Sequence, residues 1–297
     1  MTGMALETRR PKSPSAPSPW ATFRRRLLAS RSNQLCIAWL LLVALIAVLA
    51  PWLAPYDPTK QDLSNIYLPP GSDGHLFGTD NLGRDYLSRV LYGTRISSVA
   101  PIISVVVTAG LGIPLGLAAG YLGRVTDWVT SRVADALIAI PTLLLAIAII
   151  AIFGPGLVNA MAAIGIATAP RLFRLTRAAT IAVREETYIE ASRMLGCSTW
   201  RIVFVHVLPN VRSPLLVQAA ILMSLAFLAE AGLSFLGLGV QPPDASWGSL
   251  LREAFEYQFR SQWLLVPPAV LIVLTILALN VLGDGIRDAV GRGERRA

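Results

Sequence analysis

Residues 184–212 read REETYIEASRMLGCSTWRIVFVHVLPNVR, a charged and punctuated segment between long apolar runs. Small and apolar residues recur in it at positions i, i+3, i+4 and i+7, namely Tyr188, Ala191, Ser192 and Leu195. This spacing predicts a short helix with charges on its opposite face. Gly196 follows, and because glycine tolerates positive φ, the pattern predicts a sharp turn at this residue.

A second short helix is predicted directly after the turn. Ser198 is a suitable N-cap, because its side chain can accept a backbone hydrogen bond. The same helical spacing then returns at Trp200, Val203, Phe204 and Val207. Pro209 lacks a backbone donor and is predicted to end this helix. Periodicity alone fits both a docking element and two helices lying on a bilayer surface.

The rest of the chain is too apolar for an ordinary soluble domain. Of its 297 residues 54% are hydrophobic and 15% are charged, and the mean hydropathy is +0.57. Six apolar runs each approach the roughly 20 residues that cross a bilayer as a helix. The predicted spans are 34–54, 98–121, 129–152, 157–177, 213–236 and 263–283. An all-α integral membrane protein is therefore expected.

Basic residues predict the orientation, because cytoplasmic loops near spans are enriched in lysine and arginine. Residues 1–33 carry seven basic groups and one acid, and residues 171–212 carry seven and three. Residues 55–95 carry four basic groups and five acids. Both termini are thus predicted to be cytoplasmic. The predicted parts are a basic, partly disordered tail 1–33, an extracytoplasmic segment 55–97, a core 98–283 with an outer loop 237–262, and a tail 284–297.

Several function classes do not fit this sequence. The net charge of +8 is spread over the tails and the 184–212 segment and forms no single patch for nucleic acid. Cys36 and Cys197 are the only cysteines, and neither a disulfide nor a metal site is expected. No nucleophile–base pair, paired carboxylates or dinucleotide fingerprint occurs. The chain is therefore not expected to be an enzyme by itself or to bind a cofactor.

Residues 75–98, HLFGTDNLGRDYLSRVLYGTRISS, are polar and punctuated by glycine. GTDNLGRD at 78–85 has glycine spacing similar to a phosphate-binding loop, but Arg84 and Asp85 stand where that loop needs Lys and Ser or Thr. A turn leading into a short surface helix explains the spacing equally well.

Two further features concern packing and charge within the predicted spans. Gly112, Gly116 and Gly120 recur every four residues and predict a smooth helix face for close packing. Glu230 lies in the fifth span, where a carboxylate at mid-membrane costs about 2.5–3.5 kcal/mol. It either faces a hydrated central pathway or lies near the outer interface. Asp135 and Arg132, near the start of the third span, are interpreted as an interfacial ion pair.

Three separated motifs resemble one family. Residues Glu190 to Pro209 resemble the EAA loop of ATP-binding-cassette importer permeases, although Ser192 stands where that family usually has alanine. HLFGTDNLGRDYLSRVLYG, and EAGLSFLGLGVQPPDASWG at 230–248, are similar to segments of the dipeptide, oligopeptide and nickel permeases. The resemblance covers roughly residues 20–292 and implies a six-span permease with a type I importer fold.

The resemblance also implies partners and roles. It implies a bacterial cell membrane location, a second homologous permease, two ATPase subunits that hold ATP and magnesium, and an extracytoplasmic binding protein. It implies coupling to the ATPases by Glu190, Ala191, Ser192, Gly196, Trp200, Leu208 and Pro209. It implies a family motif at Gly78, Thr79, Asp80, Asn81, Gly83, Arg84 and Asp85, and possible pathway or gate residues at Glu230, Ser234 and Phe235.

The substrate and the mechanism leave alternatives open at this point. A dipeptide, a longer peptide, glutathione or chelated nickel all fit, because selection in this family rests largely with the binding protein. The rival function is an ion-gradient-driven carrier or channel that needs no ATPase. Such carriers usually show internal repeats and several ionisable groups near the midplane, whereas Glu230 is the clear intramembrane candidate here.

Overall fold

The computed structural model describes residues 19–72 and 74–294. Within them the chain is helical, with two isolated β-bridges and no strand. The helices are α1 Pro19–Leu27, α2 Arg31–Leu53, α3 Tyr86–Leu122, α4 Arg124–Ile138, α5 Thr142–Phe153, α6 Leu157–Arg184, α7 Thr187–Met194, α8 Thr199–Arg201, α9 Leu208–Phe235, α10 Trp247–Glu256 and α11 Val266–Glu294. A π-helical segment, Ile202–Val207, joins α8 to α9, and a 3₁₀ turn, Gln262–Leu265, precedes α11.

The expected all-α class is confirmed, but the count of six spans is established only in part. Four described segments are long and apolar enough to cross a membrane: Arg31–Leu53, Tyr86–Leu122, Thr199–Phe235 and Gln262–Ala289. The pair α4 and α5 makes a fifth if it is one bent span. α6 has the length of a span with 28 residues, but Arg171, Arg174 and Arg177 make it more polar than the others.

The single helix predicted over 129–152 is broken into two helices, α4 and α5. α4 and α5 are bent by 95° relative to each other, and the break lies between Ile138 and Thr142. Pro141 is responsible, because proline lacks the backbone donor and disfavours helical geometry at the preceding residue, Ile140. The apolar composition of the run concealed this break.

The predicted end of the inner helix at Pro209 is also wrong. Helical structure continues from Thr199 through Pro209 to Phe235. The backbone N–H of Leu208 bonds to the carbonyl of Val203, five residues earlier, in the π-helical segment. The wider turn leaves room for a proline ring at the start of α9, where a missing donor costs little.

Both predicted tails are helical where the structure describes them. α1 lies within the predicted tail 1–33, and α11 runs on through the predicted boundary at 284 to Glu294. The Pro/Ser-rich stretch 11–19 of the predicted tail was expected to be disordered; residues 11–18 lie outside the described residues, and Pro19 begins α1. In the two segments predicted to be extracytoplasmic, α3 begins at Tyr86, well before the predicted span, and α10 occupies part of the loop 237–262.

α3 and α6 form the centre of the bundle and run parallel. A Cβ added to Gly112 would lie 2.9 Å from Leu172 Cβ, one added to Gly116 would lie 2.5 Å from Thr176 Cβ, and one added to Gly120 would lie 2.6 Å from Thr180 Cβ. The glycine stripe therefore provides the close helix packing that its spacing predicts. Gly165 of α6 makes the reciprocal approach to Val107.

Ion pairs join α4 to α6. Arg174 Nη2 donates to Asp135 Oδ1 over 2.6 Å, and Arg177 makes a bidentate pair with Asp127. The predicted pairing of Asp135 with Arg132 is therefore wrong. Arg132 is a neighbour in sequence on the same helix, whereas Arg174 reaches Asp135 from the packed helix.

Replacing Gly116 by alanine is expected to loosen the α3–α6 contact. The new Cβ would overlap Thr176 and the Phe173 carbonyl, and overpacking of this kind costs about 1–3 kcal/mol. The thermal midpoint of the detergent-purified protein should fall. Gly110→Ala on the same helix is the matched control, because its Cβ meets nothing within 4 Å. Equal midpoints for the two variants would contradict the packing role of the stripe.

Candidate functional site: an inner elbow and an outer charge cluster

Five of the seven predicted coupling residues, those from Glu190 to Trp200, lie in an elbow made of α7, the turn at Gly196, α8 and the π-helical segment. The other two, Leu208 and Pro209, begin α9. We call residues 187–207 the coupling elbow. α7 ends at Met194, and Gly196 has φ +77°, the left-handed value that glycine adopts most readily. The Cys197 amide bonds back to the Ser192 carbonyl, and Ser198 caps α8 by accepting from the Arg201 amide. The predicted turn and cap are both present.

One face of the elbow packs on the bundle and the other is open. Ile189, Ile202 and Val207 are buried with Leu117 and Leu172 in one apolar cluster. The open face carries large apolar side chains whose exposed fractions are 88% for Met194, 84% for Leu195 and 73% for Trp200. Glu190 and Ala191 are also exposed. An element with this much uncovered apolar surface is typical of a site that contacts another protein or a membrane.

The departure from the family pattern at Ser192 leaves the outer shape of α7 nearly unchanged. The Ser192 hydroxyl donates to the Tyr188 carbonyl over 2.8 Å, so its polar group is satisfied within the helix. The side-chain hydroxyl oxygen of Tyr188 accepts from Asn210 Nδ2 over 3.0 Å, and this bond connects α7 to α9. Partial burial, together with the charge of Glu186, raises the pKa of the Tyr188 hydroxyl.

Arg193 connects the coupling elbow to the inner end of α3. Its Nε donates to Tyr121 Oη over 3.2 Å, and its guanidinium carbon lies 4.9 Å from the centre of the Tyr121 ring. Arg184 at the end of α6 donates to the Gly120 carbonyl over 3.1 Å. The buried face of the elbow also packs with Leu172 of α6, so the elbow contacts both central helices. Sequence reasoning missed Arg193 and Tyr121, because their contact depends on tertiary packing.

The predicted outer motif folds into a largely buried structure, and not into an exposed turn. Thr79, Asp80, Arg84 and Asp85 are all buried. Asp85 caps α3 by accepting from the Ser88 amide and also hydrogen-bonds His75 Nδ1 over 2.8 Å. The backbone turns through left-handed conformations at Gly78 and Gly83. Asn81 completes the turn between them, and its buried side-chain oxygen has no hydrogen-bond partner among the described residues.

Asp80, Arg84, Arg89 and Glu253 form what we call the outer charge cluster. Asp80 Oδ2 accepts from Arg84 Nε over 2.7 Å and from Arg89 Nη1 over 2.6 Å. Glu253 of α10 accepts from Arg89 over 2.5 and 3.1 Å and from Arg84 over 3.4 Å. Two cations and two anions thus compensate each other and join the outer segment, α3 and α10.

Sequence reasoning found half of this cluster. Asp80 and Arg84 were named as motif residues. Arg89 lies in the same quoted stretch, in the first turn of α3, but was not singled out, and Glu253 was missed. Glu253 is 164 residues away from Arg89 in the chain, and pairing at that distance cannot be read from one sequence.

Glu230 is enclosed within the chain itself. Only 1% of its surface is exposed, and its Oε1 accepts from the Ser234 hydroxyl over 2.8 Å. Its Oε2 has no hydrogen bond within the described residues, although Ser246 lies nearby. Phe235, the last residue of α9, has its ring 5.7 Å from that of Phe255. A pathway role for these three residues stays a prediction.

Two family models match most of this chain. Residues 112–296 match the family model described as "Binding-protein-dependent transport system inner membrane component". The chain belongs to this family. Residues 18–70 of the permease also match the "N-terminal TM domain of oligopeptide transport permease C". The permease is therefore a non-catalytic, membrane-embedded component of a binding-protein-dependent ABC importer, as its motifs predict.

Relatives match the permease over nearly its whole length. It is 43% identical over 279 residues to the "Di/tripeptide transport system permease protein DppC" of Pseudomonas aeruginosa (strain UCBPP-PA14), covering 92% of each chain. It is 41% identical over 277 residues to the "Glutathione transport system permease protein GsiD" of Pectobacterium atrosepticum, covering 93% of this chain and 92% of that one.

A solved structure shares the fold of the permease. The inward-facing MetNI methionine ABC transporter aligns with a TM-score of 0.53 and 20% identity, covering 69% of this chain and 96% of the matched chain. This likeness concerns the fold alone, and it confirms the expected type I importer architecture.

Replacing Asp80 by asparagine is expected to destabilise the permease. Arg84 and Arg89 would keep only Glu253 as a counter-charge, and breaking a buried ion pair costs about 3–5 kcal/mol. The thermal midpoint in detergent should fall clearly. Glu256→Gln is the matched control, because it breaks an exposed pair with Arg252 that is worth at most about 1 kcal/mol. A midpoint for Asp80→Asn that matches the control would show that the cluster does not hold the outer segment.

Proposed function

We propose that this permease forms half of the translocation path of an ATP-driven importer for di- or oligopeptides. Its relatives include permeases named for di- and tripeptide transport and for dipeptide transport. Those relatives align over more than nine tenths of the chain. A glutathione permease is nearly as similar, and glutathione is itself a small peptide. The shared chemistry of these substrates supports peptides as the substrate class.

The proposed complex contains a second, homologous permease, two ATPases and an extracytoplasmic binding protein. ATP and magnesium are held by the ATPases in this proposal, and both termini of the permease face the cytoplasm. The basic residues near the inner helix ends support this orientation. Membrane lipid covers the apolar outer faces of α2 and α11, where many large apolar side chains are exposed.

The coupling elbow is proposed to insert into a groove of an ATPase subunit. The observation that carries this proposal is the exposed apolar tip formed by Met194, Leu195 and Trp200 on an element braced against α3 and α6. Closure of the ATPase pair would move the elbow as a rigid body and the central helices with it. Gly196 fixes the angle between the two arms of the elbow.

A self-sufficient carrier is the competing function, and it would work without the elbow. Glu230 is the feature on which it would depend, as a buried carboxylate in a span. In the importer proposal the same carboxylate serves the substrate pathway instead.

Glu190→Lys and Gly196→Pro are expected to leave the permease in the membrane and to uncouple it from ATP hydrolysis. The first variant reverses a charge on the open face of α7, and the second imposes a negative φ where Gly196 has +77°. Both should reduce binding-protein-stimulated ATPase activity and peptide uptake of the reconstituted complex at least about tenfold, equivalent to about 1.4 kcal/mol.

Glu256→Lys is the control for these variants, because it reverses an exposed charge on the outer side. Normal stimulated hydrolysis and uptake in both elbow variants would refute the coupling role.

Glu230→Gln is expected to reduce peptide uptake while leaving membrane insertion unchanged. Glutamine retains a partner for the Ser234 hydroxyl and removes the charge, so packing is preserved. Uptake by the reconstituted complex, together with the amount of assembled complex, checks this expectation. Glu256→Gln serves as the control carboxylate, and uptake equal to that of the control would count against a pathway role.

A further inference from the structure

A cleft opens on the outer side of the permease beside the outer charge cluster. Its walls come from Pro58 and Thr59, the first turns of α3, Leu157 at the start of α6 and the segment 243–245. Its volume is about 440 Å³, which falls within the roughly 300–1,000 Å³ of sites for small molecules. Neither the coupling elbow nor the cluster accounts for this cleft.

Two arginines line the cleft, and only one of them is paired with carboxylates. Arg89 lines it, but its guanidinium is committed to Asp80 and Glu253. Arg95 also lines the cleft, one and a half turns further along α3, and makes no ion pair or hydrogen bond within residues 19–72 and 74–294. Arg95 is therefore the available cation.

Asp244 provides an available anion in the same cleft. It is exposed and likewise has neither an ion pair nor a hydrogen bond in the described part of the chain. Arg95 and Asp244 do not form a salt bridge with each other, although both line one cleft. A space between two unpaired opposite charges suits a ligand with a charge at each end.

The wall between these charges is mostly apolar. Ile96 and Val99 of α3 and Leu157 of α6 contribute to it. Apolar walls with a few fixed polar groups are typical of sites that bind and orient small molecules. They would accommodate different side chains, while the charges would fix the two ends of the ligand.

We propose that the cleft is a subsite for a short zwitterionic peptide, with Arg95 binding the terminal carboxylate and Asp244 binding the terminal ammonium group. The ends of an extended tripeptide lie at most about 10 Å apart, and the cleft volume of about 440 Å³ is of the order needed for so small a ligand. This inference rests on the proposed function, because it takes the transported peptide as its ligand. It adds the residues that contact the peptide on the outer side of this subunit.

Binding of trialanine to the complete complex in nanodiscs, without binding protein, tests the subsite. Saturation-transfer NMR is suited to weak binding and would be repeated with the C-terminal amide and the N-acetyl form of trialanine. Arg95→Gln should raise the Kd for trialanine about tenfold, the scale of one lost charge-assisted contact. The Kd for the C-terminal amide of trialanine, which lacks the carboxylate, should be the same in Arg95→Gln as in the wild type.

Asp244→Asn is the mirror experiment. It should raise the Kd for trialanine about tenfold. The Kd for the N-acetyl form, which lacks the ammonium group, should be the same as in the wild type. Arg260→Gln is the matched control, because it removes an exposed arginine on the outer side that does not line the cleft. The control should bind all three probes as the wild type does.

Three results would overturn the subsite. The first is that the wild type does not bind trialanine. The second is a Kd for trialanine in Arg95→Gln and Asp244→Asn equal to that in Arg260→Gln. The third is an equal loss of binding for all three probes, which would mean that the charges do not recognise the peptide ends. ATP-dependent peptide uptake by the wild-type complex with its binding protein tests the proposed function separately, so that failure of the subsite and failure of the importer are distinguishable.

Discussion

The close parallel contact of α3 and α6 is the constraint on which the rest of the permease depends. The two backbones can approach because Gly112, Gly116 and Gly120 present no side chain to α6. Between apolar helices in a bilayer, packing of this kind replaces the hydrophobic driving force that acts in water. The same packing places α6 beside α4, where Arg174 pairs with Asp135 and Arg177 pairs with Asp127. A charged helix is thus kept within the bundle by its neighbours.

α3 connects the two regions that carry function. Its 37 residues extend over about 55 Å at 1.5 Å per residue. The outer charge cluster holds its first turns through Arg89, and Tyr121 at its inner end contacts Arg193 of the coupling elbow. α3 is therefore held at both of its ends. This offers a physical route by which a displacement of the elbow would reach the outer side.

Much of this arrangement was predictable from sequence, because local rules govern it. The glycine stripe, the turn at Gly196 and the cap at Ser198 follow from backbone geometry and short-range spacing. The helix break at Pro141 was not predicted, and a helix end was wrongly predicted at Pro209. A proline breaks the helix at one position and is accommodated by a wider π-helical turn at the other, which local sequence does not distinguish. The pairs Arg89–Glu253 and Arg193–Tyr121 depend on tertiary packing. Whether Arg95 and Asp244 have a partner likewise depends on tertiary structure, and among the described residues they have none.

The central claim is that this chain works as one subunit of a heteromeric, ATP-driven importer. Native mass spectrometry of the chain, tagged and purified gently from its own membrane, tests this most directly. The account predicts one assembly that contains this permease, a different permease of the same family and two ATPase subunits, with ATP hydrolysis stimulated by a peptide-loaded binding protein. A homo-oligomer of this chain without any ATPase would contradict it and favour a self-sufficient carrier.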